Sequence, residues 1–120
     1  MKNRDIVNNL NNIYGFLESA RKRQNNEHRS ILNAKAQFMV MANEKVLREA
    51  YAPYEQTFKE IQSGYSETDL KKDKLRKEFN NKCKELLDIE RDINIETINQ
   101  NDFMDDAGFD DIIALEFMTK

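Results

Sequence analysis

From Ile31 to Ile61 the apolar residues return at the three- and four-residue steps of a helix, and the last of them, Leu47, Tyr51, Tyr54, Phe58 and Ile61, are spaced four, three, four, three. Heptad spacing of this kind makes a seam that another helix must cover, so the chain is committed to helix-on-helix packing. Ile31, Leu32, Ala34, Phe38, Met39, Ala42 and Val46 extend the pattern upstream, and the spacing predicts a helix over residues 29–62. Pro53 falls inside it. A proline removes a backbone donor and crowds the preceding turn, so a bend is predicted near Ala52. Met41 stands off the main stripe and is a candidate partner contact.

A first amphipathic helix is predicted over residues 4–22, where Ile6, Leu10, Ile13 and Leu17 share a face with Val7, Tyr14 and Ala20. Asn3 is the expected cap, Asp5 suits the first turn, and Arg21, Lys22 and Arg23 suit the carbonyl end. Gly15 weakens the interior by about 1 kcal/mol unless a neighbour packs close. The polar run 24–28 (QNNEH) is predicted to reverse the chain into an antiparallel hairpin. After the break at 62–65 (QSGY), Ser66 and Asp69 form a capping-box pattern that opens a third helix over residues 67–90. Its apolar stripe is Leu70, Leu75, Phe79, Cys83, Leu86 and Leu87, and its opposite face is rich in lysine.

Beyond that the period falls to two. Ile93 and Ile95 alternate with Asp92, Asn94 and Glu96, which predicts a strand over residues 92–96 in need of an edge to pair with. A turn at 99–102 and a short apolar helix over residues 109–118, following Gly108, complete the chain. The expected architecture is mainly α, a single domain of 120 residues formed as an elongated helical hairpin or three-helix bundle with one short strand and a short C-terminal helix. Three Gly, one Pro and 34% charged residues agree with narrow buried stripes and argue against enzymes built on Gly-rich turns.

Charge is distributed unevenly. Residues 1–84 carry 17 Lys/Arg against 11 Asp/Glu, a net of +6, whereas residues 85–120 carry two basic residues against 11 acidic ones, a net of −9, which together give −3. The ends are expected to attract each other or to recruit opposite partners. In the acidic part, Asp102, Asp105, Asp106, Asp110 and Asp111 form the candidate partner-binding cluster. A calcium loop does not fit: with Gly108 as the sixth residue, Phe103 falls first, Ala107 fifth, and Ala114 where a bidentate Glu belongs. Tyr51, Tyr54, Phe58 and Ile61 are the second candidate partner surface, exposed enough apolar face to predict a dimer or larger homo-oligomer.

No catalytic, metal or cofactor signature stands out, and a non-enzymatic role is expected. His28 lies in the predicted turn with no ligand at metal spacing. Cys83 sits on an apolar stripe with no base to activate it, and as the sole cysteine it implies a reducing compartment. The basic groups at 21–23 and Arg29, and the lysines of the third helix, lack interleaved aromatics and alternate with acids, so nucleic acid is not the expected partner. No signal peptide and no apolar span of about 20 residues is visible, so no membrane is expected.

The order of these features, with Phe79, Glu85, Leu86, Leu87, Glu90, Ile93, Ile95 and Ile98 followed by an acidic stretch and then Leu115, Phe117 and Met118, resembles a family of small uncharacterised phage and prophage proteins of Firmicutes. Members open with a β-like residue pair and carry a Leu-Pro turn between the first two helices. Met1-Lys2-Asn3 and Asn25-Asn26 stand there instead, which leaves pairing of the N-terminus with Ile93 and Ile95 open. The resemblance implies a phage or prophage setting and carries no catalytic residue. The expected function is protein–protein contact in a virion-associated or assembly role. The alternative is an inhibitor of a host defence complex whose acidic third mimics nucleic acid. The expected location is the host cytoplasm or the virion.

Overall fold

A computed structural model describes residues 1–27 and 31–120; His28 and the predicted helix start at Arg29 lie outside the described residues. The elements are α1 (Asn3–Glu27), α2 (Ala34–Ser63), α3 (Glu67–Leu70), α4 (Asp73–Leu87) and α5 (Phe109–Ala114), with single 3-10 turns at Gln100–Asp102 and Glu116–Met118. The shape is elongated, 53 × 31 × 20 Å.

α1 buries Ile6, Leu10 and Ile13 of the predicted stripe together with Phe16, while Val7, Leu17 and Ala20 are half-buried at its edge and Tyr14 is exposed. Ile6, Leu10, Ile13 and Phe16 pack against Ala36, Val40, Leu47 and Ala50 of α2. Burying each of the larger side chains contributes about 1.5–3 kcal/mol. Nothing lies within 4 Å of a Cβ built on Gly15, so no close packing offsets its helix penalty.

Several boundaries differ from the sequence reading. α1 runs on to Glu27, because the polar run after Arg23 contains no Gly or Pro to stop a helix. α2 starts at Ala34, after Asn33, whose side chain accepts a hydrogen bond from the Ala36 amide at 2.9 Å. Ile31 and Leu32 are buried, but in the extended approach to α2 and not on its stripe. The third helix is divided into α3, closed by the reciprocal Ser66–Asp69 capping box, and α4. Asn3 does not cap α1: it is its first residue and only 2% exposed, and its amide donates to the Leu86 carbonyl at 2.7 Å. Asp5 reaches back to the Lys2 amide instead, at 2.8 Å.

The heptad seam finds its partner helix within the chain. Beyond Ala50, α2 and α4 form an arm in which the rings of Tyr51, Tyr54, Phe58, Phe79 and Tyr65 follow one another at 5.3–6.5 Å between centroids. Cys83 is half-buried on the same side of α4, and burial pushes its thiol up from the usual range, away from the reactive thiolate. Pro53 remains inside a continuous α2. It supplies no amide to the carbonyl four residues back, and beside that gap the Arg91 guanidinium donates to the Ala50 carbonyl at 3.0 Å.

The predicted strand does not form. Among the described residues there is no sheet, only isolated bridges pairing Lys2 with Glu90, Leu32 with Phe103, and Ile98 with Thr119. The two-residue period is nevertheless real, because Ile93 and Ile95 pack on the core while Asp92, Asn94 and Glu96 face out. The N-terminus does pair with this extended segment, at Glu90 and Arg91 and not at Ile93 and Ile95: the Arg91 amide donates to the Met1 carbonyl at 2.7 Å. Around Glu96 the pairing edge is a side chain. Asn43, 1% exposed in the middle of α2, donates to the Glu96 carbonyl at 2.9 Å and accepts from the Glu96 amide at 2.7 Å. One carboxamide thus satisfies both backbone groups of a residue, as a neighbouring strand would.

Candidate docking surface

From Glu96 the chain crosses the helical hairpin. It is pinned at Ile98, which is 1% exposed and exchanges backbone hydrogen bonds with Met118 and Lys120 at 2.9 Å each, and at Asn33, whose amide donates to the Asp102 carbonyl at 3.0 Å. It then turns at 105–106 into α5. α5 is too short to hold itself together by backbone bonds alone. Its N-cap is Gly108, which has no side chain to offer the first turn, so Asp111 does the work in reverse by accepting from the Gly108 amide at 2.8 Å. The same oxygen takes the Arg23 guanidinium at 2.7 Å. Leu115 and Met118 then bury to 0% and 1% on the core.

With Asp111, Ala114 and Leu115 turned inward, the other face of the helix points to solvent. Phe109 is 77% exposed, Ile113 48% and Ile112 41%, at the three- and four-residue spacing that makes neighbours on a helix. Met104, 47% exposed, precedes them in the same segment. Asp105, Asp106 and Asp110 are exposed around this face. Phe109, Ile112 and Ile113 are thus grouped on one short helix beside carboxylates, where singly scattered apolar side chains are the usual pattern of a surface.

The five candidate aspartates therefore divide. Asp105, Asp106 and Asp110 are on the surface, whereas Asp111 is 3% exposed and holds α5 to α1. Asp102 is also structural: it accepts from the Asn99 amide at 2.9 Å and from the Asn33 amide group at 2.8 Å, and these bonds hold its carboxyl below the usual range. Tyr51, Tyr54, Phe58 and Ile61 are not brought to this surface; they are half-buried in the arm. Phe109, Ile112 and Ile113 belong to the terminal apolar helix that the sequence offers as a surface for oligomerisation beside the Tyr51–Ile61 seam, whereas nothing in the sequence singles out Met104. The signal available there is that residues 109–118 are apolar at seven of ten positions, Phe109, Ile112, Ile113, Ala114, Leu115, Phe117 and Met118, more than one buried stripe can use.

Among the described residues no group of three or more His, Cys, Asp or Glu side chains could hold a metal ion, and no helix is long and apolar enough to cross a membrane. No family model, curated protein or solved structure matches the chain.

Proposed function

We propose that the protein works by protein–protein contact, with the α5 face as its docking surface and no chemistry of its own. The observation that carries this reading is the exposure of Phe109, Ile112 and Ile113 on a helix that the Asp111–Arg23 pair holds in place. An anchored helix loses little conformational freedom on binding, and exposed aromatics on such a helix are typical hot spots. The exposed aspartates around it favour a partner with basic residues about an apolar pocket. The setting we propose is phage or prophage assembly, supported by the likeness of residues 79–98 and 115–118 to that family. The geometry favours this over mimicry of nucleic acid, since two of the five clustered aspartates are spent inside the fold and the rest border apolar side chains.

The test is affinity capture from source cells with the intact chain and with Phe109→Ser/Ile112→Ser. Each substitution lies on the surface and should leave the helical circular dichroism unchanged. A hot-spot aromatic contributes roughly 2 kcal/mol, so capture of any specific partner should fall about 30-fold. In Asp105→Asn/Asp106→Asn/Asp110→Asn, capture should persist with a shallower salt dependence. Equal capture by the intact chain and the double variant would rule the surface out.

A further inference from the structure

On another side of the molecule, α1 and α2 bound an open groove of about 500 Å3. Tyr14, Leu17 and Met41 line it, with Phe38, 72% exposed, one turn before Met41 on α2. Its charged lining is Arg21, Lys22 and Glu18 on α1 and Glu44 on α2. The acids at the groove are already engaged, Glu18 with Lys22 at 3.5 Å and Glu44 with Arg48 at 2.9 Å, and Glu44 also accepts from the Tyr14 hydroxyl at 3.3 Å. Arg21 pairs with no carboxylate among the described residues.

We infer that this groove receives the α5 face of a second copy of the chain, so that copies join head to tail. The inference rests on the docking role of α5 proposed above and names its partner. The two surfaces are complementary: an apolar face bordered by Asp105 and Asp110, and a groove lined by Tyr14, Leu17 and Met41 that carries Arg21 with no carboxylate partner among the described residues. A chain cannot fill its own groove. Its α5 is seated over Asn12 and Ser19, and at about 100° per residue Tyr14 and Arg21 lie some 200° around α1 from them. A contact between two different patches repeats from copy to copy, giving a ring or an open filament and not a closed dimer. The face of one short helix covers less than the ~800 Å2 per partner of a standard interface, so assembly depends on concentration and weakens with salt.

Sedimentation of purified protein separates the outcomes. The groove variant Arg21→Glu/Met41→Glu and the face variant Phe109→Ser/Ile112→Ser each remove one half of the contact. At high concentration and low salt the intact chain should form species beyond a dimer, and each variant alone should stay at the 14.2 kDa of one chain. An equimolar mixture of the two retains one good groove and one good face, so it should give a species of doubled mass that grows no further. A mixture that stays monomeric while the intact chain associates, or an intact chain that stays monomeric throughout, overturns head-to-tail docking. Loss of capture in the face variant under either result would leave the docking role of α5 standing with a different partner.

Discussion

Asn43→Ala is expected to lower stability by about 2–3 kcal/mol and to loosen the C-terminal third before the helices. Its carboxamide meets both backbone groups of Glu96, and it also lies 3.4 Å from the Met118 sulfur, at the point where the terminal 3-10 turn closes on the core. Each buried backbone group left without a partner costs about 1–3 kcal/mol, reduced here because the Glu96 side is open enough for water to enter. Asn43→Asp separates the two bonds. A carboxylate can still accept from the Glu96 amide, but it sets an oxygen against the Glu96 carbonyl, so it should rescue less than half of the loss. Urea midpoints give the energies, and hydrogen exchange at residues 93–98 shows where the loosening occurs. Exchange unchanged there would mean that Ile93, Ile95 and Ile98 hold the segment without the clamp.

Asp111→Ala should lower stability by a similar amount, about 2–3 kcal/mol. It removes the acceptor for both the Gly108 amide and the Arg23 guanidinium. Breaking a buried ion pair costs about 3–5 kcal/mol, and the figure is reduced because Arg23 is 34% exposed and can turn to solvent. Asp105→Asn/Asp110→Asn, which removes two charges from the surface and none from the interior, should stay within about 0.5 kcal/mol of the parent. Denaturant unfolding of both proteins checks the contrast. Equal loss in both would show that the exposed aspartates also hold the fold. Changing all five aspartates together cannot probe binding, since Asp102 and Asp111 would unmake the surface being tested.

Periodic apolar residues made the helical frame legible. Ile6, Leu10 and Ile13 on α1 and Leu47 on α2 bury because a helix has one inward face, but in the first half of α2 that face is Ala36 and Val40, and Ala34, Phe38 and Val46 of the predicted stripe are exposed. The boundaries were harder. Ile31 and Leu32 continue the three-and-four rhythm without being helical, because Asn33 caps α2 after them and the two residues bury in an extended stretch. Nothing local marks the break between α3 and α4, since Lys71 and Lys72 are ordinary helix residues.

Long-range polar pairing was the part hidden from the sequence. That Asn43 would serve as the edge for Glu96, that Arg91 would reach Asn3 at 2.8 Å, and that Asp111 would leave its acidic neighbours for Arg23 all depend on residues 53 to 88 positions apart. A count of acids places five aspartates together; only the fold tells which of them face water. Likewise the seam from Leu47 to Ile61 correctly called for a covering helix, and the helix that covers it is α4 of the same chain. Apolar surface is left over on α5, at Phe109, Ile112 and Ile113, and on α2, at Phe38, Met41 and Val46.

A photoreactive residue at position 113, compared with one at the exposed Lys77 of the arm, tests most directly whether the α5 face is where this protein meets others. In source cells, position 113 should form discrete protein adducts, a second copy of the chain among them where copies join head to tail, and position 77 should not. Adducts of equal yield and pattern from both positions, or none from position 113 while position 77 reacts, would contradict the account.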